Sequence, residues 1–393
     1  MKTHLIVAGI LVAAGVPGAG AQTGERFAAA LIGRWCGGTE NVVFSPYSLS
    51  AALAMTAAGG RGATAEQVAD ALGLPRGPEA LASAFGARDQ ALAEARGQSP
   101  GLALSVANAL YPQRDYPVKP AFLELIRTRF KGEATPLDYA ADPEAARVEI
   151  NRWVETQTAS RIQDLLAPGV LTRATRMTLV NAIYFKGRWA TPFDVAQTQP
   201  APFHVTGKAA VQAPLMQRRG PMRYAERNGL QAVELPYAGN QFAMLVLLPA
   251  PDQTAAGVAQ SLAEKGLGAW EAALAETDVT LFLPRFTCTW SRECMQTLQA
   301  LGMTALFDAA AADLSGIAGQ PGELVVSAVV HKAFVEVAEE GTEAAAATAV
   351  AIKMTAFRPP ERPVVFRADR PFVFLIRERA SGCVLFAGVV NTP

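Results

Sequence analysis

Hydrophobic residues fall at three different spacings along this chain, and the spacing assigns most of its elements. Phe27, Leu31 and Trp35 lie four apart, which predicts an amphipathic helix ended by Gly37 and Gly38. Residues 41–55 read as a short strand, a capped turn in which Pro46 opens a helix, and a helix so apolar that it must be buried, with Ser45 and Ser48 at its start. Residues 62–74 predict a helix capped by Thr64, Gln67 completing a capping box. The stretch from there to about residue 138 is mixed in charge and poorly patterned. Ala146, Ile150, Trp153, Val154 and Thr158 then form one helical stripe within 146–163. Residues 177–189 are nearly continuously apolar, as a strand covered on both faces would be, and Asn181 inside them must find hydrogen-bond partners. Further strands are predicted at 241–248, 279–283, 324–330, 331–338, 372–376 and 383–390, and a helix at 291–301. In 331–338, Ala333, Val335 and Val337 share one face, Phe334 and Glu336 the other.

Local signals contradict each other between 339 and 370. Glu339, Glu340 and Gly341 interrupt a strand, and a run of small residues comes after them: Thr342, Glu343, Ala344, Ala345, Ala346, Ala347, Thr348 and on to Ile352. Four consecutive alanines favour helix, whereas 348–352 suits a strand, so the segment could live in either state. Taken alone, an alanine-rich run is an ordinary surface helix or loop. Its flanks change that reading. Lys353, Met354, Thr355, Ala356, Phe357 and Arg358 lead into Pro359, Pro360 and Pro363, which hold the chain extended until the apolar strand at 372–376.

In these residues the chain resembles the serpins, a family of serine-protease inhibitors. The run from Glu339 to Thr348 looks like the hinge of an inhibitory member, and Asp369, Arg370, Pro371 and Phe372 look like the strand entry after its reactive loop. Residues 62–74, 150–154, 177–189, 302–308 and 313–317 also match, so the resemblance runs from about residue 27 to 393. It implies an α+β serpin fold in one domain, with three β-sheets, about nine helices and an exposed reactive loop at about 339–363. It further implies that Ser45, Ser48, Asn181 and His331 form a hydrogen-bonded cluster controlling whether the central strands can part. Arg285 and Glu339 would join the tops of neighbouring strands near Trp189.

The resemblance also implies a mechanism: a target protease cuts the loop, and Thr342, Ala344, Ala346 and Thr348 turn inward as the freed segment joins the main sheet. Family spacing from Gly341 places the attacked bond between Thr355 and Ala356, for a target with a small pocket of the elastase or subtilisin kind. Attack after Phe357 or Met354 would mean a chymotrypsin-like target, and attack after Lys353 a trypsin-like one. The implied partner is an extracellular or periplasmic serine protease, with cysteine proteases a second class, met by a monomer of an exported, bacterial, inhibitory type. A non-inhibitory member with a binding or carrier role is the alternative.

Composition narrows the classes. Half of the 393 residues are hydrophobic, and 35 basic residues balance 35 acidic ones, so nothing draws the whole molecule to nucleic acid or acidic lipid. The opening Met1, Lys2, Thr3 and His4, about a dozen apolar residues, and Ala19, Gly20 and Ala21 read as a signal peptide at 1–21, leaving a secreted or periplasmic domain at 22–393. The apolar run is too short to span a bilayer, and no membrane anchor is expected. Cys36, Cys288, Cys294 and Cys383 are too scattered for zinc; Cys36 and Cys383 could pair if the fold joins them. Gly97, Ser99 and Gly101 satisfy a hydrolase pattern, but the surroundings read as helix then turn, and only His204 and His331 would survive export. A hydrolase using Ser99 is therefore not expected, nor any metal or cofactor.

Overall fold

The computed structural model describes residues 19–342 and 363–393. The signal-peptide assignment up to residue 18, Glu343 to Thr348 of the hinge, and Met354, Thr355, Ala356 and Phe357 lie outside the described residues.

The buried helix predicted after Pro46 sits at the centre. Helix α2 (Pro46–Ala58) follows α1 (Ala19–Trp35), and all its side chains are buried, because it lies between two sheets rather than on a surface. The main sheet runs in the order β10 (Phe286–Glu293), β11 (Ala328–Ala338), β12 (Gly341–Thr342), β4 (Met177–Arg188), β2 (Ala103–Pro112) and β3 (Glu133–Ala134). The second runs β1 (Val42–Phe44), β15 (Val384–Val390), β14 (Phe372–Glu378), β8 (Phe242–Leu248), β7 (Leu230–Pro236), β6 (Val211–Arg227), β9 (Ala275–Pro284) and β13 (Val364–Arg367), with β5 (Gln199–Phe203) paired to β6. Among the described residues, hydrogen bonding thus joins the strands into two sheets where the resemblance implies three. The reason is the length of β6, which pairs β5 and β9 along its first part and β7 along residues 223–227. Among the described residues the remaining helices are α3 (Gly62–Leu72), α4 (Pro78–Gly97), α5 (Pro120–Leu125), α6 (Pro143–Gln157), α7 (Ala255–Lys265), α8 (Gly268–Glu271) and α9 (Met295–Ala300).

The apolar run at 177–189 is β4, and its alternation decides what covers it. Val180 and Ala182 face α6, packing with Ala146, Ile150 and Val154 and with Ala107 and Ala109 of β2. Leu179 and Ile183 face the other way, into the large core around α2. Helix α6 stops at Gln157 rather than 163, because Ala159 and Ser160 are left-handed, with φ of 50° and 60°.

Several expected elements are placed differently. Thr64 does not cap α3; its hydroxyl accepts from Asp313 N, and Gln67 accepts from Ala305 N, so both serve tertiary contacts. The helix expected at 291–301 is shorter, since Ser291, Arg292 and Glu293 continue β10 against β11. Pairing makes β11 one strand from Ala328, and 324–327 is not part of it. The poorly patterned region holds α4 and the ten-residue β2. Cys36 and Cys383 do not pair, and all four thiols are free. Cys36 instead neighbours Cys288, and burial pushes both thiols up to about 12, Cys288 adding to the shift of Cys36.

Gly388 shows how closely the second sheet is packed. A Cβ there would lie 2.2 Å from the Val42 carbonyl oxygen and 2.7 Å from the Phe374 ring. Gly388→Ala is expected to cost about 2 kcal/mol or more, since backbone and a buried ring must both give way. Thermal unfolding of the intact protein tests this, and an unchanged transition would show that β1 shifts without penalty.

Candidate functional site

Three strands of the main sheet place His331, Asn181 and Asn108 side by side, one each from β11, β4 and β2. His331 and Asn181 meet the first turn of α2, and Asn108 joins them through Asn181. Asn181 Nδ2 donates to Ser48 Oγ and to Asn108 Oδ1, each at 2.5 Å, while its Oδ1 accepts from His331 Nδ1. Ser45 caps α2 by accepting from Ser48 N through Oγ at 3.0 Å, and its own backbone N–H donates to His331 Nε2 at 2.9 Å. That last bond fixes the histidine tautomer: Nε2 must accept, so Nδ1 carries the proton it gives to Asn181. The ring is fully buried, and burial pushes its pKa down to about 3, so the cluster is neutral throughout. The structure therefore brings Ser45, Ser48, Asn181 and His331 together. Asn108 was missed in the poorly patterned stretch, although an amide inside an apolar strand is the same signal that singled out Asn181.

Above this cluster the strands separate. β4 and β11 pair directly, in parallel, from 178 to 184 and from 328 to 334. Beyond that they part, and β12 enters antiparallel between them, Thr342 opposite Val337 on one side and Gly187 on the other. Gly341 is needed for the approach: a Cβ there would fall 2.0 Å from the Gly187 carbonyl oxygen and 2.7 Å from Arg188 Cα, both backbone. The Thr342 side chain turns inward, is fully buried, and meets the Tyr237 hydroxyl at 2.7 Å.

The turn that opens the hinge is tied to a fixed support. Trp189 Nε1 donates to Ala338 O, Trp189 N to Glu340 O and Phe193 N to Glu339 O, each at 2.9 Å. The Glu339 carboxylate takes a hydrogen bond from Arg285 and another from Thr198 Oγ1 at 2.7 Å. Burial alone would raise that carboxyl's pKa; the bonds from Arg285 and Thr198 outweigh it and hold the group below its ordinary range. Arg285, Glu339 and Trp189 thus meet at one point. Thr198 and Tyr237 complete it and were not anticipated, since neither lies in a local pattern that marks it.

Catalytic alternatives find no support in the geometry. Ser99 lies just past the end of α4, buried, with Oγ donating to Ala95 O at 2.9 Å, and His331 is committed to the sheet cluster. Ser99 is therefore not set up as a nucleophile. Among the described residues no three His, Cys, Asp or Glu side chains cluster as a metal site, and no helix is long and apolar enough to cross a membrane.

Residues 22–393 match the family described as Serpin (serine protease inhibitor). The chain is 38% identical over 354 residues to Iris of Ixodes ricinus, covering 89% of this chain and 92% of that protein. It is 36% identical over 362 residues to leukocyte elastase inhibitor of Xenopus laevis, covering 90% and 94%. Human thyroxine-binding globulin complexed with its ligand superimposes with a TM-score of 0.84 at 28% identity, over 95% of this chain and 98% of that one. On a match of that extent, the chain belongs to the serpin family.

Proposed function

We propose that this serpin is an exported inhibitor of serine proteases, with an elastase- or subtilisin-like target, that works as a suicide substrate. The observation that carries this reading is the seating of Thr342: the first small residue of the hinge already lies between β4 and β11, facing inward. A protease that attacks the loop forms an acyl-enzyme at the cut bond. The freed segment then adds to the main sheet from Thr342 onward, as in the serpin loop insertion that serves as a general example of strand addition. Ala344, Ala346 and Thr348 follow Thr342 at every second residue, so small side chains enter a close-packed sheet before water can release the acyl group. Similarity to a protein named leukocyte elastase inhibitor supports the small-pocket target. The signal-like residues 1–21 support export to an extracellular or periplasmic protease.

The reading is tested by offering the protein to a panel of serine proteases and looking for a denaturant-stable complex. The fragment released on trapping should begin at Ala356. A new N-terminus at Arg358 or Thr355 would move the target to the chymotrypsin class. Cleavage by every protease with none trapped would favour a carrier role, such as that of thyroxine-binding globulin, whose fold this chain shares.

Thr342→Arg should convert the inhibitor into a substrate. A guanidinium placed where Thr342 meets Tyr237 would lose its water without gaining a charge partner, at a cost of about 3–5 kcal/mol. Cleavage should continue, trapping should fail, and the cleaved variant should lack the large rise in melting temperature expected of cleaved wild type. Normal trapping by this variant would refute inward insertion.

Opening of the sheet should also be acid-sensitive. The His331 ring titrates at about 3 in the fold against 6.5 when free, so between these values the unfolded or opened chain binds the extra proton. Stability therefore falls as pH is lowered from about 6.5 towards 3, with a slope approaching about 1.4 kcal/mol per pH unit from this group. Denaturant midpoints for wild type and His331→Gln across that range check it; the same pH slope in both would exclude His331 as the cause.

A further inference from the structure

We propose that Tyr237 is a positioning residue that selects the register of the hinge before the loop is cut, a role that rests on the inhibitory reading above. Tyr237 follows directly on β7 yet is tied to the end of β4. Ala190 N donates to Pro236 O at 2.9 Å and Ala238 N to Arg188 O at 2.8 Å, so the backbone on either side of the tyrosine is fixed to the strand that borders the hinge. Its ring stacks on Trp189 with centroids 4.6 Å apart and planes at 15°, and meets Phe185 edge-on at 5.0 Å. It also occupies the space that a Cβ on Gly187 would need, 2.9 Å from Tyr237 Cδ1. The ring therefore has one place to be. Its hydroxyl is fully buried, with Thr342 Oγ1 as partner, and burial pushes the phenol far above its ordinary range, so it stays neutral.

This geometry acts as a register check. Side chains alternate across a strand, so a slip of one residue would replace Thr342 with either Gly341 or Glu343 at the inward position. Gly341 there leaves a buried phenol without a partner, and Glu343 would bring a carboxylate into an apolar pocket. Threonine at that position is small enough for the gap and supplies the hydroxyl that the tyrosine needs. A valine of the same shape would fit and still leave the phenol unsatisfied. The hinge is thus docked in register while the loop is intact, and insertion proceeds from a first residue that is already in place.

The test compares Tyr237→Phe, Thr342→Val, their double variant and Thr342→Ser against a serine protease that the wild type traps. The measured quantity is the number of inhibitor molecules consumed per protease trapped, alongside the rate of loop cleavage and the melting temperature. Each of the first two single variants should raise consumption on the order of five-fold, the effect of one hydrogen bond on a competing rate. The double variant should be no worse than the poorer single, Thr342→Ser should resemble wild type, and cleavage rates should not change. Lower melting temperatures with unaltered consumption would make the pair merely structural and overturn the proposal, as would single effects that multiply. If the wild type traps no protease, the inhibitory reading itself has failed. The docking is then read by hydrogen exchange at the Thr342 amide, which Tyr237→Phe should accelerate relative to the amides of β11; equal protection would overturn the register role as well.

Discussion

The structure depends on a seam between two parallel strands that are bonded to each other for only part of their length. β4 and β11 share a ladder from 178 to 184 and from 328 to 334, and above it they accept the hinge instead. Parallel neighbours leave room for a strand running the opposite way between them, and the chain leaving β11 already runs that way. The turn at Glu339 and Glu340 therefore sets the direction of any further pairing. The rest of the fold keeps this seam closed below and wedged open above.

Neutral hydrogen bonding closes it below, between the apolar layers on the two faces of the sheet. Asn181 uses its amide oxygen towards His331 and its two N–H groups towards Ser48 and Asn108, so one side chain on β4 joins β11, β2 and the buried helix. Each such bond contributes about 1 kcal/mol net, but separating the strands without replacing partners would cost more, because every group in the cluster is buried. A cluster of this kind resists partial opening more than it resists complete exchange, in which new backbone partners arrive on both edges. The cap on α2 belongs to the same set, since Ser45 serves both the helix start and the histidine.

Much of this was legible in the residues. The apolar run of β4, the buried helix after Pro46 and the conspicuous Asn181 follow from local pattern, and Gly341 stood out between a strand and a run of small residues. The tertiary contacts could not be read. Thr64 and Gln67 have the spacing of a capping box, yet the loop at 305–313 takes their hydrogen bonds, and nothing in 62–74 announces that loop. Ser291 to Glu293 look like a helix start until β11 pairs with them. Asn108 escaped because β2 begins half-exposed and mixed, and only its later residues are uniformly buried. Tyr237 has no local signal at all; its role exists only because β7 and the end of β4 meet there.

The fixed and movable parts of the hinge divide at a definite bond. Glu339 is held by its carboxylate, through Arg285 and Thr198, and by its carbonyl, through Phe193; Glu340 is held by its carbonyl, through Trp189. Trp189, Phe193 and Thr198 belong to the segment directly after β4, so these supports move with β4 rather than with the loop. Gly341 is the first residue whose backbone lies against the strand itself, with no side chain to obstruct it. In the proposed insertion the chain beyond Thr342, itself already held between β4 and β11, must pivot there, while the ionic anchor at Glu339 stays where it is. Keeping the charged group on the fixed side of the pivot has a physical basis, because a carboxylate that had to travel into the sheet would carry its desolvation penalty along the whole path. Beyond the pivot, Glu343 alone among residues 342–352 bears a charge.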